Sequence, residues 1–229
     1  FRKMLVATNG FIFFLSVVFK SAVVARALFA SSSLSSPTPT NERRPVAWTI
    51  AGSDASGGAG VEADQRVMHS LGVHACCVTT ALTAQNTREV AAVLPTAAAH
   101  VEATLAALER DLGCPAAVKV GMLADGAVAR AVADFLDRTT SFVVVDPILL
   151  STSGKALLDD DGLDVLVTRI LPRCDLVTPN LPEAEALLGR EITGTADLKA
   201  AAIALADTFN TSVLAKGGHV FSSANANAN

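Results

Sequence analysis

The spacing of apolar residues changes repeatedly between positions 46 and 215. Short continuous apolar runs, typical of buried strands, alternate with segments in which apolar residues recur every three or four positions, typical of helices. The run at 142–146, FVVVD, contains three consecutive valines, a composition found in strands that are buried on both faces of a parallel sheet. Strands are predicted over 46–51, 76–82, 117–121, 142–146, 176–178 and 212–215.

The segments between these strands have helical spacing, and Gly113 stands where a helix-ending glycine is expected. Alternation of strand and helix indicates the α/β class, with helices on a mostly parallel central sheet in three layers. Helices are predicted over 61–71, 100–112, 127–136, 163–171, 184–188 and 198–209.

Polar residues and glycines gather just after the predicted strands. In open parallel sheets, ligands bind outside the carboxyl ends of the strands. A sheet buried on both faces has no structural need for such residues there, so these positions predict a binding site. They are 52–54, 83–86, 121–122, 146, 178–180 and 216–219.

Composition excludes several classes of protein. Of the 229 residues, 51% are hydrophobic and 17% are charged, which excludes a disordered chain. The net charge of −4 argues against a nucleic-acid partner. Charge is divided unevenly, because residues 1–45 carry six basic side chains and one acidic one, whereas the remainder is acidic.

The two ends differ from the body of the chain. Residues 1–45 combine basic residues, a short apolar run and a Ser/Thr/Pro-rich stretch, which predicts a targeting segment outside the fold; a membrane anchor is the alternative. An organelle, plastid or mitochondrion, is the expected destination in a eukaryote, otherwise the cytosol, with no stable membrane partner after leader removal. Residues 221–229 form a low-complexity tail, which suggests truncation or mis-splicing and leaves 46–220 as an incomplete domain with its last strands and helices missing.

The segment 51–60, AGSDASGGAG, is a glycine-rich turn from strand to helix. It matches neither the Gly-Lys-Ser/Thr phosphate loop nor Gly-x-Gly-x-x-Gly. Two interpretations are equally supported: a flexible loop, or a backbone that approaches a ligand closely. Asp64, in the helix that follows, is typical of a residue that favours the helix dipole.

Single residues at other strand ends have both structural and chemical interpretations. Gln85 carries a donor and an acceptor that would suit a heteroaromatic ring, or it stabilises a turn. Asn180 and Glu183 have capping-box spacing, yet Asp146 and Glu183 together would suit Mg²⁺. Lys216 places a cation at a strand end, where it would suit phosphate or belong to a plain turn.

The four cysteines predict neither a disulfide framework nor a zinc site. Two are adjacent and two are isolated, so no Cys-x-x-Cys spacing occurs. We expect all four to be small core residues in a reducing compartment.

Taken together and in order, the motifs are far more specific than any one of them. The chain resembles the hydroxymethylpyrimidine/phosphomethylpyrimidine kinase family of thiamine biosynthesis, within the ribokinase-like superfamily. The resemblance extends from about position 46 to position 219. It rests on AGSDASGGAGVEAD at 51–64, TALTAQNT at 80–87, KVGML at 119–123, VDP at 145–147, LVTPNLPEAE at 176–185 and KGGH at 216–219.

The resemblance implies ATP-dependent phosphorylation of 4-amino-5-hydroxymethyl-2-methylpyrimidine and then of its monophosphate. It places Asp146 and Glu183 around Mg²⁺, and Asn180 and Lys216 near the ATP phosphates. It also implies a homodimer. Six positions match the family's pocket for the pyrimidine ring: Gly52, Ala59, Asp64, Thr83, Gln85 and Met122.

One departure from the family pattern affects catalysis. Family members continue past the Lys-Gly-Gly-His motif to a Gly-Thr-Gly-Cys-like loop that forms an anion hole, and residues 1–229 contain no such loop. No catalytic residue is therefore assigned, and this stretch is expected to be inactive or nearly so. Pyridoxal kinase activity and a catalytically dead pyrimidine-binding protein remain as alternative functions.

Overall fold

The computed structural model describes residues 4–7, 44–86, 88–151 and 154–217. Within these ranges the chain forms one eight-stranded sheet, and seven of its strands run parallel to their neighbours. The strands are β1 Met4–Ala7, β2 Val46–Asp54, β3 His74–Gln85, β4 Val90–Pro95, β5 Ala117–Val120, β6 Phe142–Val145, β7 Leu176–Val177 and β8 Ser212–Lys216.

The described helices connect these strands in the order that the sequence predicts. The connection between β6 and β7 is not one continuous helix, because a π-helical turn over Leu166–Ile170 and a 3₁₀ turn over Leu171–Arg173 follow the helix Asp160–Val165. Pro172 has no N–H for the helical ladder. The helices are α1 Gly60–Ser70, α2 Ala98–Leu112, α3 Gly126–Leu136, α4 Asp160–Val165, α5 Leu181–Leu188 and α6 Gly194–Phe209.

Alternate residues of the central strands supply the two larger of three hydrophobic clusters. Trp48 and Ile50 of β2 pack in the larger core, together with residues of α2 through α6. Ala47 packs on the opposite face, where Met68 of α1 covers the sheet. The described helices therefore lie on both faces of the sheet, which confirms the three-layer α/β prediction.

The strand order is β1-β8-β7-β6-β5-β2-β3-β4. From β2 the chain proceeds first to β3 and β4 on one side, and then returns to β5 on the other side. The order thus reverses between β2 and β5, and such a reversal opens a crevice at the carboxyl ends of the strands, where ligands bind in α/β sheets.

Two strands were not expected from the sequence. Val90–Pro95 pairs antiparallel with β3 and forms one edge of the sheet. Met4–Ala7 pairs with β8 at the other edge, so these four residues belong to the sheet, whereas residues 1–45 were expected to stand outside the fold. An edge strand leaves backbone groups unpaired, and β1 satisfies those of β8.

The rest of the expected leader, including its apolar run, and the 221–229 tail lie outside the described residues. In the ranges that are described, no helix has the length and the apolar composition that crossing a membrane requires.

Candidate active site

A cavity of about 340 Å³ opens at the crevice between β2 and β5. Its walls come from the ends of β2, β3 and β5, from the turn between β3 and β4, and from the loop that follows β6. Five of the six predicted pyrimidine-pocket residues line it: Gly52, Ala59, Thr83, Gln85 and Met122.

The glycine-rich loop is held in one shape by Asp54, whose carboxylate accepts hydrogen bonds from the backbone N–H groups of Ser56 and Ala59, at 2.9 and 2.8 Å. The Ser56 hydroxyl donates to the same carboxylate. Burial acts to raise the pKa of Asp54, but these hydrogen bonds outweigh it and the pKa lies below its ordinary value. The loop is therefore a fixed wall of the cavity.

Two glycines let the loop and helix α1 approach the strand ends closely. Gly60 has a φ of +62°, and a Cβ there would lie 2.4 Å from the Gly52 carbonyl oxygen. A Cβ on Gly52 would lie 2.9 Å from the Met122 sulfur. Larger residues at either position would push apart the elements that form this side of the cavity.

Gln85 lies at the end of β3, where its side chain meets that of Thr83. The Thr83 hydroxyl donates to the Ser53 carbonyl oxygen at 2.7 Å and lies 3.3 Å from Gln85 Oε1. The amide is thereby oriented at the cavity wall, with a donor and an acceptor for a ligand edge.

Asp64 does not line the cavity as the resemblance implied, but lies beneath its floor. Its side chain is only 2% exposed, and Oδ2 accepts hydrogen bonds from Thr49 Oγ1 and Lys119 Nζ, each at 2.6 Å. Lys119, rather than Asp64, lines the cavity. Burial acts to lower the pKa of Lys119, but Asp64 and Asp146 outweigh it and raise the pKa, so Lys119 carries its charge.

A second group of predicted residues meets at the ends of β6, β7 and β8. Lys216 Nζ lies 2.7 Å from Asp146 Oδ1 and 4.0 Å from Glu183 Oε2. Thr178 donates to Asp146 at 3.0 Å. Asn180 and Glu183 form a complete capping box on α5, so the structural interpretation of that spacing is correct, and the box also fixes the Glu183 carboxylate beside Lys216.

The two carboxylates of this cluster titrate differently. Burial acts to raise the pKa of Asp146, but Lys216, Lys119 and the hydrogen bond from Thr178 outweigh it, so the pKa lies below its ordinary value. Burial, assisted by Asp146, raises the pKa of Glu183 to about 7 against the opposing effects of Lys216 and Asn180. Asp146 is thus the permanent anion of the pair.

The donor set of this cluster suits a hard divalent cation. The Lys216 ammonium already lies beside both carboxylates, which shows that positive charge is favoured there. In the part of the chain that the structure describes, no three His, Cys, Asp or Glu side chains converge on one point. Mg²⁺ commonly takes only one or two protein carboxylates and completes its shell with water and phosphate oxygens, so two carboxylates suffice.

One whole wall of the cavity and its buried cation were not predicted from the sequence. The wall comes from the β3–β4 turn and from the loop after β6, and the signal that could have found the turn is Arg88-Glu89 between two apolar runs. Lys119 was visible as a lone charge inside a predicted buried strand. The missed lining residues are Arg88, Glu89, Val90, Lys119, Ile148, Leu150, Ser151 and Leu157.

The prediction that all four cysteines belong to the core is wrong for one of them. All four are free thiols; Cys76 and Cys174 are buried and Cys77 is partly buried, but Cys114 is exposed. It lies in the short turn after α2, where residues 139–141 surround the sulfur with hydroxyl groups.

Comparison with known proteins agrees with this geometry. The family model described as phosphomethylpyrimidine kinase matches residues 54–228. A hydroxymethylpyrimidine/phosphomethylpyrimidine kinase of Rhizobium meliloti is 44% identical over 176 residues, which cover 76% of this chain and 66% of the relative. The chain therefore spans about two thirds of the length of such relatives.

Solved structures share the fold. The crystal structure of phosphomethylpyrimidine kinase from Clostridium difficile aligns with a TM-score of 0.71 and 34% identity, over 78% of this chain and 77% of that one. A pyridoxal kinase from Staphylococcus aureus in complex with pyridoxal aligns with a TM-score of 0.68 and 27% identity, over 77% and 66% of the two chains.

The α/β sheet with its crevice at the strand reversal is thus a ribokinase-like fold. Within that class, the chain belongs to the phosphomethylpyrimidine kinase family. The membership indicated by the sequence motifs is confirmed.

Proposed function

We propose that this protein is an ATP-dependent kinase that phosphorylates 4-amino-5-hydroxymethyl-2-methylpyrimidine and then its monophosphate. The observation that carries the proposal is the convergence of Gly52, Ala59, Thr83, Gln85 and Met122 on one cavity, at the same end of the sheet as a carboxylate–lysine cluster. These residues were selected from motifs scattered over 70 positions, and the fold brings them together.

The cavity supports recognition of an aminopyrimidine. Met122 and the apolar wall suit the faces of a flat ring, and the oriented Gln85 amide suits a ring edge that carries both an amino donor and a nitrogen acceptor. The hydroxymethyl group of the ring would then be directed toward Asp146 and Lys216.

The reaction is an in-line transfer of a phosphoryl group. The hydroxymethyl oxygen forms a bond to the γ-phosphorus of ATP, the bond from that phosphorus to its bridging oxygen breaks, ADP leaves with the electron pair, and the hydroxyl proton passes to solvent. Such a transfer depends on positioning and on charge neutralisation. Lys216 would contact the transferring phosphate oxygens, and Asn180 would lie beside the ATP phosphates.

Asp146 and Glu183 would hold Mg²⁺. When bound, this ion neutralises the phosphate charge that develops during transfer. The low pKa of Asp146 keeps a negative charge available for the metal across the neutral pH range.

The Gly-Thr-Gly-Cys-like loop of the family does not occur in residues 1–229, so we propose that this stretch by itself binds the pyrimidine but transfers phosphate slowly. A homodimer is also expected; analytical ultracentrifugation would measure it.

The proposal is tested by initial rates of ADP release from the complete natural protein with ATP and Mg²⁺. The hydroxymethylpyrimidine, its monophosphate and pyridoxal would be compared side by side. Preference for the two pyrimidines supports the proposal, and preference for pyridoxal supports the alternative that the likeness to the pyridoxal kinase raises. Tight pyrimidine binding without ADP release would indicate a binding protein instead.

A further inference from the structure

The ammonium group of Lys119 lies at the floor of the cavity. No function was predicted for this residue from the sequence motifs. It sits one residue before the end of β5, with 9% of its side-chain surface exposed, and it lines the cavity. Gly121 leaves room for it, because a Cβ there would lie 3.3 Å from Lys119 Nζ. A charge in such a place is costly to bury and is seldom kept for stability alone.

The hydrogen-bonding capacity of this ammonium exceeds what the protein satisfies. A lysine has three N–H donors. Among the described residues, Asp64 is the one acceptor within hydrogen-bonding distance of Lys119 Nζ, at 2.6 Å. Asp64 is itself fixed by Thr49, so the pair holds Lys119 in place and leaves donor capacity at the cavity wall.

Lys119 also adjoins the second predicted subsite. It lines the cavity that would hold the pyrimidine ring, and in the sheet it pairs with Val144, two residues before Asp146 of the cluster that would hold the phosphates. Its charge helps to keep the pKa of Asp146 low. A substituent that extends from the ring toward Asp146 would therefore pass this ammonium.

We propose that Lys119 binds an oxygen of that substituent and gives the site a preference for the phosphorylated pyrimidine over the neutral one. This inference rests on the proposed function. An ammonium attracts a charged phosphate oxygen by a full charge–charge interaction, whereas it meets only a dipole in a neutral hydroxyl, so the charge discriminates between the two substrates. Asp64 is the positioning residue, since it acts through Lys119.

The test is isothermal titration calorimetry with the hydroxymethylpyrimidine and with its monophosphate, without ATP, at low ionic strength. Lys119→Met removes the charge and keeps the length of the side chain. The double variant Lys119→Met/Asp64→Leu removes both charges, so that no buried carboxylate is left without its partner if the single variant fails to fold. Lys199→Met, on the exposed face of α6, is the matched control.

We expect both Lys119 variants to lose about 10- to 100-fold in affinity for the monophosphate and less than threefold for the neutral pyrimidine. The control should keep wild-type values for both compounds. Equal losses for both compounds, or an unchanged preference in the double variant, overturn the role of Lys119. If the wild-type chain binds neither compound, the proposed function fails and this inference fails with it; if it binds both, only the Lys119 variants decide.

Discussion

Lys216 and Asp146 are separated by 70 positions in the chain, yet the lysine ammonium lies 2.7 Å from the aspartate carboxylate. Three strands have to align for this contact to form, because Asp146 follows β6, Lys216 ends β8, and β7 lies between them. In the proposed mechanism, this contact holds one cation beside the carboxylate that would bind the metal.

Replacing Lys216 by Met should therefore impair phosphoryl transfer more than folding. We expect turnover by the complete natural protein to fall by about 10²- to 10³-fold, the usual consequence of removing one group that stabilises transition-state charge. The measurement is kcat with ATP, Mg²⁺ and the pyrimidine, and Lys199→Met serves as the control. A kcat within twofold of the wild-type value would contradict the assignment.

Gln85→Leu should abolish the preference of the site for the aminopyrimidine over an analogue that lacks the amino group. The variant keeps similar volume but loses the amide donor and acceptor, so affinity for the aminopyrimidine should fall about 10- to 100-fold. Affinity for the analogue without its amino group should change much less. Calorimetry with the two compounds measures both values, and a parallel loss for both would show that Gln85 acts only on the shape of the cavity.

Gly60→Ala should destabilise the fold through a steric clash between the new side chain and the backbone of Gly52. Its Cβ would lie 2.4 Å from the Gly52 carbonyl oxygen, and the backbone φ is +62°. Gly72→Ala is the matched control, because Gly72 also has a positive φ, of +77°, but a Cβ there meets nothing within 4 Å. Urea unfolding should show an additional loss of about 1–3 kcal/mol for Gly60→Ala relative to Gly72→Ala. Equal losses would mean that helix α1 can move away without cost.

Cys114 should react with iodoacetamide at neutral pH, unlike the other three cysteines. Burial acts to raise the pKa of its thiol, but hydrogen bonds with Ser141, Thr139 and Thr140 outweigh it and lower the pKa to about 7. Since the thiolate is the nucleophile, the alkylation rate should rise with pH and reach half of its maximum near pH 7. Burial raises the pKa of Cys77 and of Cys174 to about 12 and also raises the pKa of Cys76, so those three should remain unmodified.

Thr139→Val provides the control for that pH dependence. It removes the hydroxyl that lies 3.2 Å from the Cys114 sulfur and keeps the shape of the side chain. The midpoint of the alkylation profile should move upward, toward the ordinary value of 9.0. A midpoint already near 9 in the unaltered protein would show that the hydroxyl groups do not stabilise the thiolate.

The pattern of apolar residues was sufficient to predict the strands that are buried on both faces. Phe142–Val145 is one example, since a continuous apolar run has few other places in an α/β fold. The edge strands were harder to predict. For example, β4 is largely exposed, and apolar and polar residues do not alternate along it. Met4–Ala7 pairs with a strand about 200 positions away, and no local pattern carries that information.

The candidate site was also predicted only in part, because residues in local motifs could be identified whereas long-range contacts could not. Residues such as Gln85 and Met122 belong to local motifs, so a resemblance could identify them. The positions of Asp64 and Lys119 depend on a contact between a helix and a strand that lie 55 positions apart. Sequence spacing along the helix or the strand could not show that the Asp64 carboxylate lies beneath the cavity floor and that the Lys119 ammonium reaches the cavity.

The two parts of the candidate site are also synthesised one after the other. Every residue that lines the cavity lies between positions 51 and 157, whereas the carboxylate–lysine cluster needs Lys216. The residues of the proposed ring pocket are therefore all translated before the cation that would face the phosphates. The core that supports them is completed still later, because Trp48 and Ile50 pack in one cluster with residues as distant as Leu205 and Val213.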